Sequence, residues 1–526
     1  MKLYLIIVLL SFIFPNIEEP DTSTIIIDDI NIYGGLNELS TSTNIDIINS
    51  KRFRLNGNNN FQDLIPSIGN LHYAGGTSRS RYFQIRGLGE LSQFSGEGAP
   101  HFYVGYILDN IDFSGIGMVG ILTDIKQIEI FKGPQSSVYG PNAMAGLINI
   151  VSNDPLINKS FNLNTSLYSN NGHTLNISSS VPLTKKLLSR FTISTNKNNG
   201  FIINKSDPNN YNFDTNAKDE LLLRTKFIYS PNLNSSIILT LYSINLNNKY
   251  DVWTPDNNGF ITFTNYQGYD TQKTKALSIK SKSSLKDLVL TSITSYSDNL
   301  IRYSYDGDWA NSSYWEQEPY NWYVENLDYF SMDACNQTVG YYPCYYDYDF
   351  TDETNRNRST FSQEFKIKTS LKNNIILTSG FYYSKIKETD TRNGWLFAGY
   401  ATNIRSIFDI LNYATYLQLT YPITKKILLS STIRLDVNNT TQDLRYSYYD
   451  ILPNTYLNDI KDKDLIGGSV KINHHYTKSL TFNYSLSRGY KTSGINQTQY
   501  PGFNENLRIY NTEYCNNIDF GMTYNN

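Results

Sequence analysis

Three cysteines in 526 residues, at positions 335, 344 and 515, are too few for a fold stapled by a disulfide framework. Cys335 and Cys344 have eight residues between them in a Tyr-rich stretch, and they could pair in an oxidising compartment or stay as two thiols. Five histidines (His72, His101, His173, His474 and His475) fall in no H-E-x-x-H motif, and C-x-x-C and G-x-S-x-G are also missing. His474 and His475 are adjacent, so on a strand their rings point to opposite faces and cannot share one metal. Enzyme chemistry, a bound metal and a cofactor are therefore not expected. A basic excess is lacking as well: the net charge is −3, the pI is near 6.0 and no Lys/Arg run occurs, which disfavours nucleic acid as a partner. There is also no apolar run long enough for a spanning helix. Leu3 to Phe14, preceded by Lys2 and stopped by Pro15, is about twelve residues, where roughly 20 are needed. Residues 1–20 read as an export signal without a clear Ala-x-Ala cleavage site.

Aromatic residues, by contrast, are plentiful. Forty-three tyrosines bring the aromatics to 14%, while charged residues make up only 18% and mean hydropathy is −0.40. Tyr suits a membrane interface, because its ring sits among acyl chains while its hydroxyl reaches the headgroups. With helices excluded, a β-barrel is the only remaining structure that satisfies its own backbone inside lipid.

The chain divides by texture. After a polar segment (21–40), residues 41–157 form the least repetitive part. Phe61 to Ile68 reads as a short helix ending at its Pro, Tyr82 to Gly89 as a strand entering a Gly turn, and Tyr103 to Phe113 as a hairpin turning at Asp109-Asn110. Asp124 to Phe131 and Gly146 to Ser152 read as two further strands, giving a small mixed α/β domain. From 158 to 526 the pattern alternates, as in Phe161, Leu163, Thr165 and Leu167 with Asn162, Asn164 and Ser166 between them. Six short polar connections punctuate it: Pro182–Leu188, Pro231–Ile237, Ser284–Val289, Ser370–Ile375, Pro422–Leu428 and His475–Leu480. They join twelve strands, and one more at each end makes about fourteen antiparallel transmembrane strands.

The densest signal is Asp124 to Pro155, DIKQIEIFKGPQSSVYGPNAMAGLINIVSNDP. Ile125, Ile128 and Ile130 supply one strand, Gly133-Pro134 stops it, Tyr139-Gly140 makes a second turn, and Gly146 and Asn149 lie on the returning strand. Spacing alone gives only a compact strand-loop-strand unit. The stretch resembles the plug of the TonB-dependent outer-membrane receptors, whose pattern runs I-E-x-x-R-G-P, then Y-G, then G-x-I-N-I. Here Glu129 fits and Lys132 stands where Arg is usual, keeping the charge without the bidentate fork. Upstream, Arg86-Gly87 matches the family's I-R-G, and Val104 to Asn110, with Asp109, matches its V-x-x-Y-x-D-G. Tyr484 to Asn496 resembles a barrel motif of the same receptors.

The resemblance implies an all-β transmembrane barrel with the plug in its lumen, in the outer membrane of a Gram-negative bacterium. Family barrels have about twenty-two strands against the fourteen visible, so the sequence is expected to be truncated at its C-terminus. The same resemblance implies import of a scarce ligand, with a ferric siderophore or other iron chelate as the default and cobalamin, a nickel chelate or an oligosaccharide as alternatives. A passive porin or an adhesin would be the rival class. The energising partner would be the TonB complex of the inner membrane, engaging a short extended segment ahead of the plug; Ile25, Ile26, Ile27, Asp28, Asp29 and Ile30 are the candidates, unless Ile25 to Tyr33 is instead the first plug strand. By the same likeness Arg86 and Lys132 would lock the plug to barrel carboxylates, with Glu513 a partner, or else make internal plug ion pairs that could include Glu129. Trp309, Trp315 and Trp322 lie among acids in the longest loop, about 302–357, and either meet the ligand or pack the loop.

Overall fold

The computed structural model describes residues 44–50, 60–74, 77–90, 99–117, 122–207, 215–251, 260–307, 309–315, 317, 351–396, 401–447, 454–495 and 509–524. The expected export signal, the Ile25 to Ile30 segment, Cys335, Cys344 and Trp322 lie outside them.

The N-terminal domain is built on a five-stranded mixed sheet. Its strands are β1 (Ile45–Asn49), β5 (Val104–Leu108), β6 (Ile111–Asp112), β7 (Ile125–Lys132) and β8 (Gly146–Ser152), in the order β1-β7-β8-β5-β6. A smaller sheet of β2 (Leu71–Tyr73), β3 (Phe83–Ile85) and β4 (Leu88–Gly89) packs beside it. The core follows from the apolar positions of these strands: Ile125, Ile128, Ile130, Ile148 and Ile150 are buried with Phe61, Phe83 and Tyr106, whose rings meet at 5.4–6.0 Å. The expected helix is one turn, α1 (Phe61–Leu64), passing into 3-10 geometry where Pro66 follows; Asn60 and Asp63 form its capping box. The Asp109-Asn110 turn has the left-handed backbone expected of it, with φ of 45° and 68°. Tyr82 to Gly89 is two strands rather than one, because Arg86 and Gly87 both take positive φ and reverse the chain. Between β7 and β8 the second turn is a short helix, α2 (Ser136–Tyr139).

Fourteen antiparallel strands form the wall. Two short pairs, β12 (Ile203–Asn204) with β15 (Ile261–Thr262) and β24 (Gly494–Ile495) with β25 (Ile509–Tyr510), stand outside it. The wall strands are β9 (Ser160–Tyr168), β10 (Gly172–Pro182), β11 (Leu187–Asn198), β13 (Lys218–Asn232), β14 (Ser235–Lys249), β16 (Tyr269–Leu285), β17 (Leu288–Asp306), β18 (Thr351–Ser370), β19 (Ile376–Leu396), β20 (Ala401–Pro422), β21 (Ile427–Ser447), β22 (Asn454–His475), β23 (Leu480–Lys491) and β26 (Glu513–Tyr524). Each pairs with its neighbour in this order, and among the described residues β9 and β26 are the two edges.

All six short connections are tight turns, and three share one device. Thr184, Thr424 and Thr477 each accept, at their hydroxyl, the backbone N–H groups two and three residues on, at 3.0–3.3 Å. This explains why Pro182–Leu188 and Pro422–Leu428 read almost alike.

The alternation sorts side chains to the two faces of the wall. On β21 the inward residues are Ser430, Thr432, Arg434, Asp436, Asn438 and Thr440, all buried. The outward ones begin with Leu429, Ile433, Leu435 and Val437 and then change to Asn439, Thr441, Asp443 and Arg445. The apolar band thus stops about eleven residues above the turn, which is a bilayer's worth of tilted strand. At that level Phe361, Tyr383 and Tyr413 form a contiguous aromatic row, with ring centroids at 6.1 and 5.3 Å. Near the turns Tyr476, Phe482 and Phe520 make a second row. Two such girdles mark the two interfaces of a membrane. Among the described residues no helix is long and apolar enough to cross one.

Candidate functional site

The domain is seated against the inner face of the wall, and the contact is mixed: Leu222, Tyr242, Ile244, Leu246, Ala276 and Ile301 of the wall join the plug's apolar cluster, and polar groups make up the rest. Burying polar groups there is tolerable only if each finds a partner. From β10 and β11 round to β26, most of the partners are charges.

The turn after β7 carries the first group. Gly133 has φ of 108° and lies against Asn517 and the Arg86 guanidinium; Gly140 has φ of 79°, and a Cβ there would meet Arg434 Nη2 at 2.9 Å. Between them the hydroxyl of Ser136 accepts the Tyr490 N–H at 3.1 Å, and Arg434 donates to the Val138 carbonyl at 3.1 Å while paired with Asp436 at 2.7 Å. The Gly-Pro and Tyr-Gly elements therefore bring backbone close to the barrel, which the sequence pattern alone does not tell.

The sequence candidates separate. Arg86 does reach the barrel, but through Asp519 at 3.0 Å and Asn517 at 3.1 Å, not through Glu513. Lys132 stays within the plug, pairing with Asp46 of β1 at 2.6 Å. Glu513 instead accepts from the Tyr103 hydroxyl, whose one proton is shared between the two carboxylate oxygens at 2.8 and 2.9 Å. Glu129 is fully buried between Gln127 and Asn149, which donate to it at 2.6 and 2.8 Å, so it is an internal tie between β7 and β8. Trp309 is exposed, and Trp315 packs edge-on to Tyr314 at 5.6 Å. Cys515 is a free thiol on the inward face of β26.

Sequence reasoning missed the opposite side of the interface. Arg79 grips Glu220 of β13 through two bonds of 2.6 and 2.7 Å, while Arg81 and the N–H of Ser78 both hold Asp270 of β16. Asp124 lies between Arg190 and Arg224 of β11 and β13 and accepts from Arg190 Nε at 2.8 Å and Thr192 at 2.7 Å. Burial alone would raise the Asp124 carboxyl, but the two guanidiniums and Asn153 outweigh it and hold it down at about 2. Asp109, at the hairpin tip, accepts from the Ser152 N–H at 3.0 Å, from Tyr242 and from Lys226 at 3.5 Å; Lys226 and Arg224 overcome the cost of burial and keep it below the ordinary carboxylate range. The available signal was the family's own Asp109 and the first residue of the motif stretch, Asp124, each an acid at a turn, where Asp is usually read as turn chemistry.

A third cluster lies beside Tyr103. Glu90 accepts the Tyr103 N–H at 2.9 Å, with Lys491 at 3.9 Å and above the Tyr103 ring. Burial pushes the Glu90 carboxyl up to about 7, against the pull of Lys491. His101 bonds Thr440 at 3.2 Å, and burial among Lys491 and Arg358 lowers it to about 3, so the ring is neutral. Among the described residues no group of three metal-ligating side chains occurs. The interface combines these electrostatic ties with an apolar contact against β13, β14, β16 and β17.

Residues 37–147 match the family model of the TonB-dependent Receptor Plug Domain. Among solved structures, the fold is similar to the ferric yersiniabactin uptake receptor FyuA from Yersinia pestis (TM-score 0.74, 16% identity, 92% of this chain and 70% of that one). It is also similar to the closed form of the ferric-catecholate import receptor Fiu from K12 E. coli (0.66, 12%, 92% and 71%). A third is the siderophore receptor PiuA from Acinetobacter baumannii (0.67, 12%, 92% and 70%).

Proposed function

We propose that this chain, a TonB-dependent outer-membrane receptor by its plug and its barrel fold, actively imports an iron chelate. The observation that carries the reading is the plug itself: a folded domain tied to the inner face of the wall on several sides, which would stand in a passive path and require work to move. The three similar structures, receptors for ferric yersiniabactin, for ferric catecholates and for a siderophore, support iron as the cargo.

The ligand would bind above the plug, between its apex and the external stretches that carry Trp309, Trp315 and Trp322. Binding would free the segment Ile25 to Ile30 to add a strand to the periplasmic energiser, where main-chain hydrogen bonds supply the affinity. Pulling on that segment transmits force first to β1, which is hydrogen-bonded along its length to β7. Ladder bonds pulled in line share the load, so force reaches the motif strand and its Gly-Pro turn directly.

The test is deletion of Ile25 to Tyr33 in cells that have no other receptor for the supplied chelate. Surface binding of radiolabelled iron chelate is expected to persist while accumulation stops; undiminished accumulation refutes the assignment.

A further inference from the structure

Between plug and wall, near the end that carries the short turns, lies a cavity of about 250 Å³. Its two sides differ in charge. The plug side presents Asp109, Asp112 and Asp154, whereas the wall presents Lys226, Lys280, Lys366 and Arg434, the last paired with Asp436, and a single lining acid, Glu364. The three lysines are inward residues of β13, β16 and β18, each within six positions of its short turn.

The charges are unequally committed. Lys226 is held by Asp109 at 3.5 Å and by Asp154 at 3.3 Å, both from the plug, and Glu364 accepts the Tyr416 hydroxyl at 2.5 Å. Among the described residues, neither Lys280 nor Lys366 has a carboxylate within 4.0 Å. The plug's carboxylates therefore do for Lys226 what nothing fixed in the wall does. When the plug moves, Asp109 and Asp154 leave with it, and the wall is left with three ammonium groups to one carboxylate.

We propose that this strip of lysines is a track for anions: the solute that passes between plug and wall is negatively charged and takes the place of the plug carboxylates on Lys226, Lys280 and Lys366. A cation would meet repulsion from all three in a confined, poorly screened space. The proposal rests on the import reading for the direction of passage, but not on iron.

The test reads the local potential directly. Ser362 lines the cavity and makes only a 2.7 Å hydroxyl contact with Ser295, so Ser362→Cys places a thiol there with little disturbance. The purified full chain is reacted with a sulfonate-bearing and with a trimethylammonium-bearing methanethiosulfonate. Each rate is normalised to a small free thiol, and the parent chain with its native cysteines serves as the blank. With the plug's carboxylates in place the charges nearly balance, so the rates are read with and without Asp109→Asn and Asp154→Asn, which free Lys226; the anionic reagent is expected to gain at least roughly threefold on the cationic one in the Asn variant, and Lys280→Gln with Lys366→Gln to abolish that gain. No change in the relative rates between the two backgrounds, a shift toward the cationic reagent, a gain that survives the double lysine substitution, or no reaction with either reagent would each overturn the proposal. The rates involve neither iron nor the TonB complex, so a failed uptake experiment leaves this result standing.

Discussion

Asp124→Asn keeps the shape of the side chain and removes its charge, which makes it the sharpest probe of how the plug is held. Asp124, Arg190 and Arg224 are 3%, 6% and 3% exposed, so the substitution leaves two guanidiniums buried without their anion. Breaking a buried pair from one side costs about 3–5 kcal/mol. For a domain of this size each kcal/mol shifts the melting temperature by about 4 °C or more. Calorimetry of the purified protein should therefore show the plug transition lowered by more than about 10 °C, with the barrel transition unmoved. The pH dependence gives an independent check. A carboxyl held at about 2 from an ordinary 3.8 adds stability that is complete above pH 4 and is lost as pH falls through 2. The natural chain should lose plug stability in that acid window, and the Asn variant should lose less of it. A shift under about 3 °C at neutral pH would mean that the arginines find other partners and that the tie is not structural.

Other expectations follow from the same contacts. Lys132→Met should cost under about 1 kcal/mol, since its partner Asp46 is 42% exposed; Arg86→Met should cost more and raise plug proteolysis by trypsin, and equal effects would contradict the partner assignment. Gly140→Val places a side chain at φ 79° against Arg434 and should lower the plug melting temperature more than Gly140→Ala, with the parent highest. Glu90 has a raised pKa, so the stability tied to its proton is present below pH 4.5 and is lost as pH rises through about 7. Glu90→Gln should accordingly stabilise the plug at pH 8 and leave it little changed at pH 4, as read by denaturant titration. Thr424→Val removes a turn cap and should cost about 0.5–1.5 kcal/mol in barrel stability without touching the plug.

The fold was legible in the sequence because its signals are local. Alternation, six similar turns and the hairpin at Asp109-Asn110 are each decided within a few residues. The plug-to-barrel pairs were not legible, because each depends on strand depth. Glu513 and Asp519 share the inward face of β26 by parity, yet they are six residues, or about 20 Å, apart. Only the register of Glu513 with Lys491 and of Asp519 with Ser485 shows which one lies level with Arg86. The acids at 109 and 124 were hidden for a different reason: a turn accounts for an Asp without any partner, so nothing local signalled the arginines and the lysine that face them. Strand length was not legible either, since the pattern of apolar residues stops at the membrane while the hydrogen-bonded ladder continues.

That continuation changes what can touch the plug from outside. Strands β19 to β22 run 21–22 residues, about 70 Å of ladder, whereas the apolar band occupies about 25 Å of height. Even allowing for tilt, the wall stands some 30 Å clear of the lipid, with water on its outer side above the Phe361, Tyr383 and Tyr413 row. The plug climbs this extension rather than stopping at the lipid: Ser78 and Arg79 hold Asp270 and Glu220 at the far ends of β16 and β13, and Tyr82 accepts from Arg356, five residues above Phe361 on β18. The part of the plug that faces outward is therefore braced by strand that lies in water on both sides, so those ties can be reached and exchanged without crossing the bilayer.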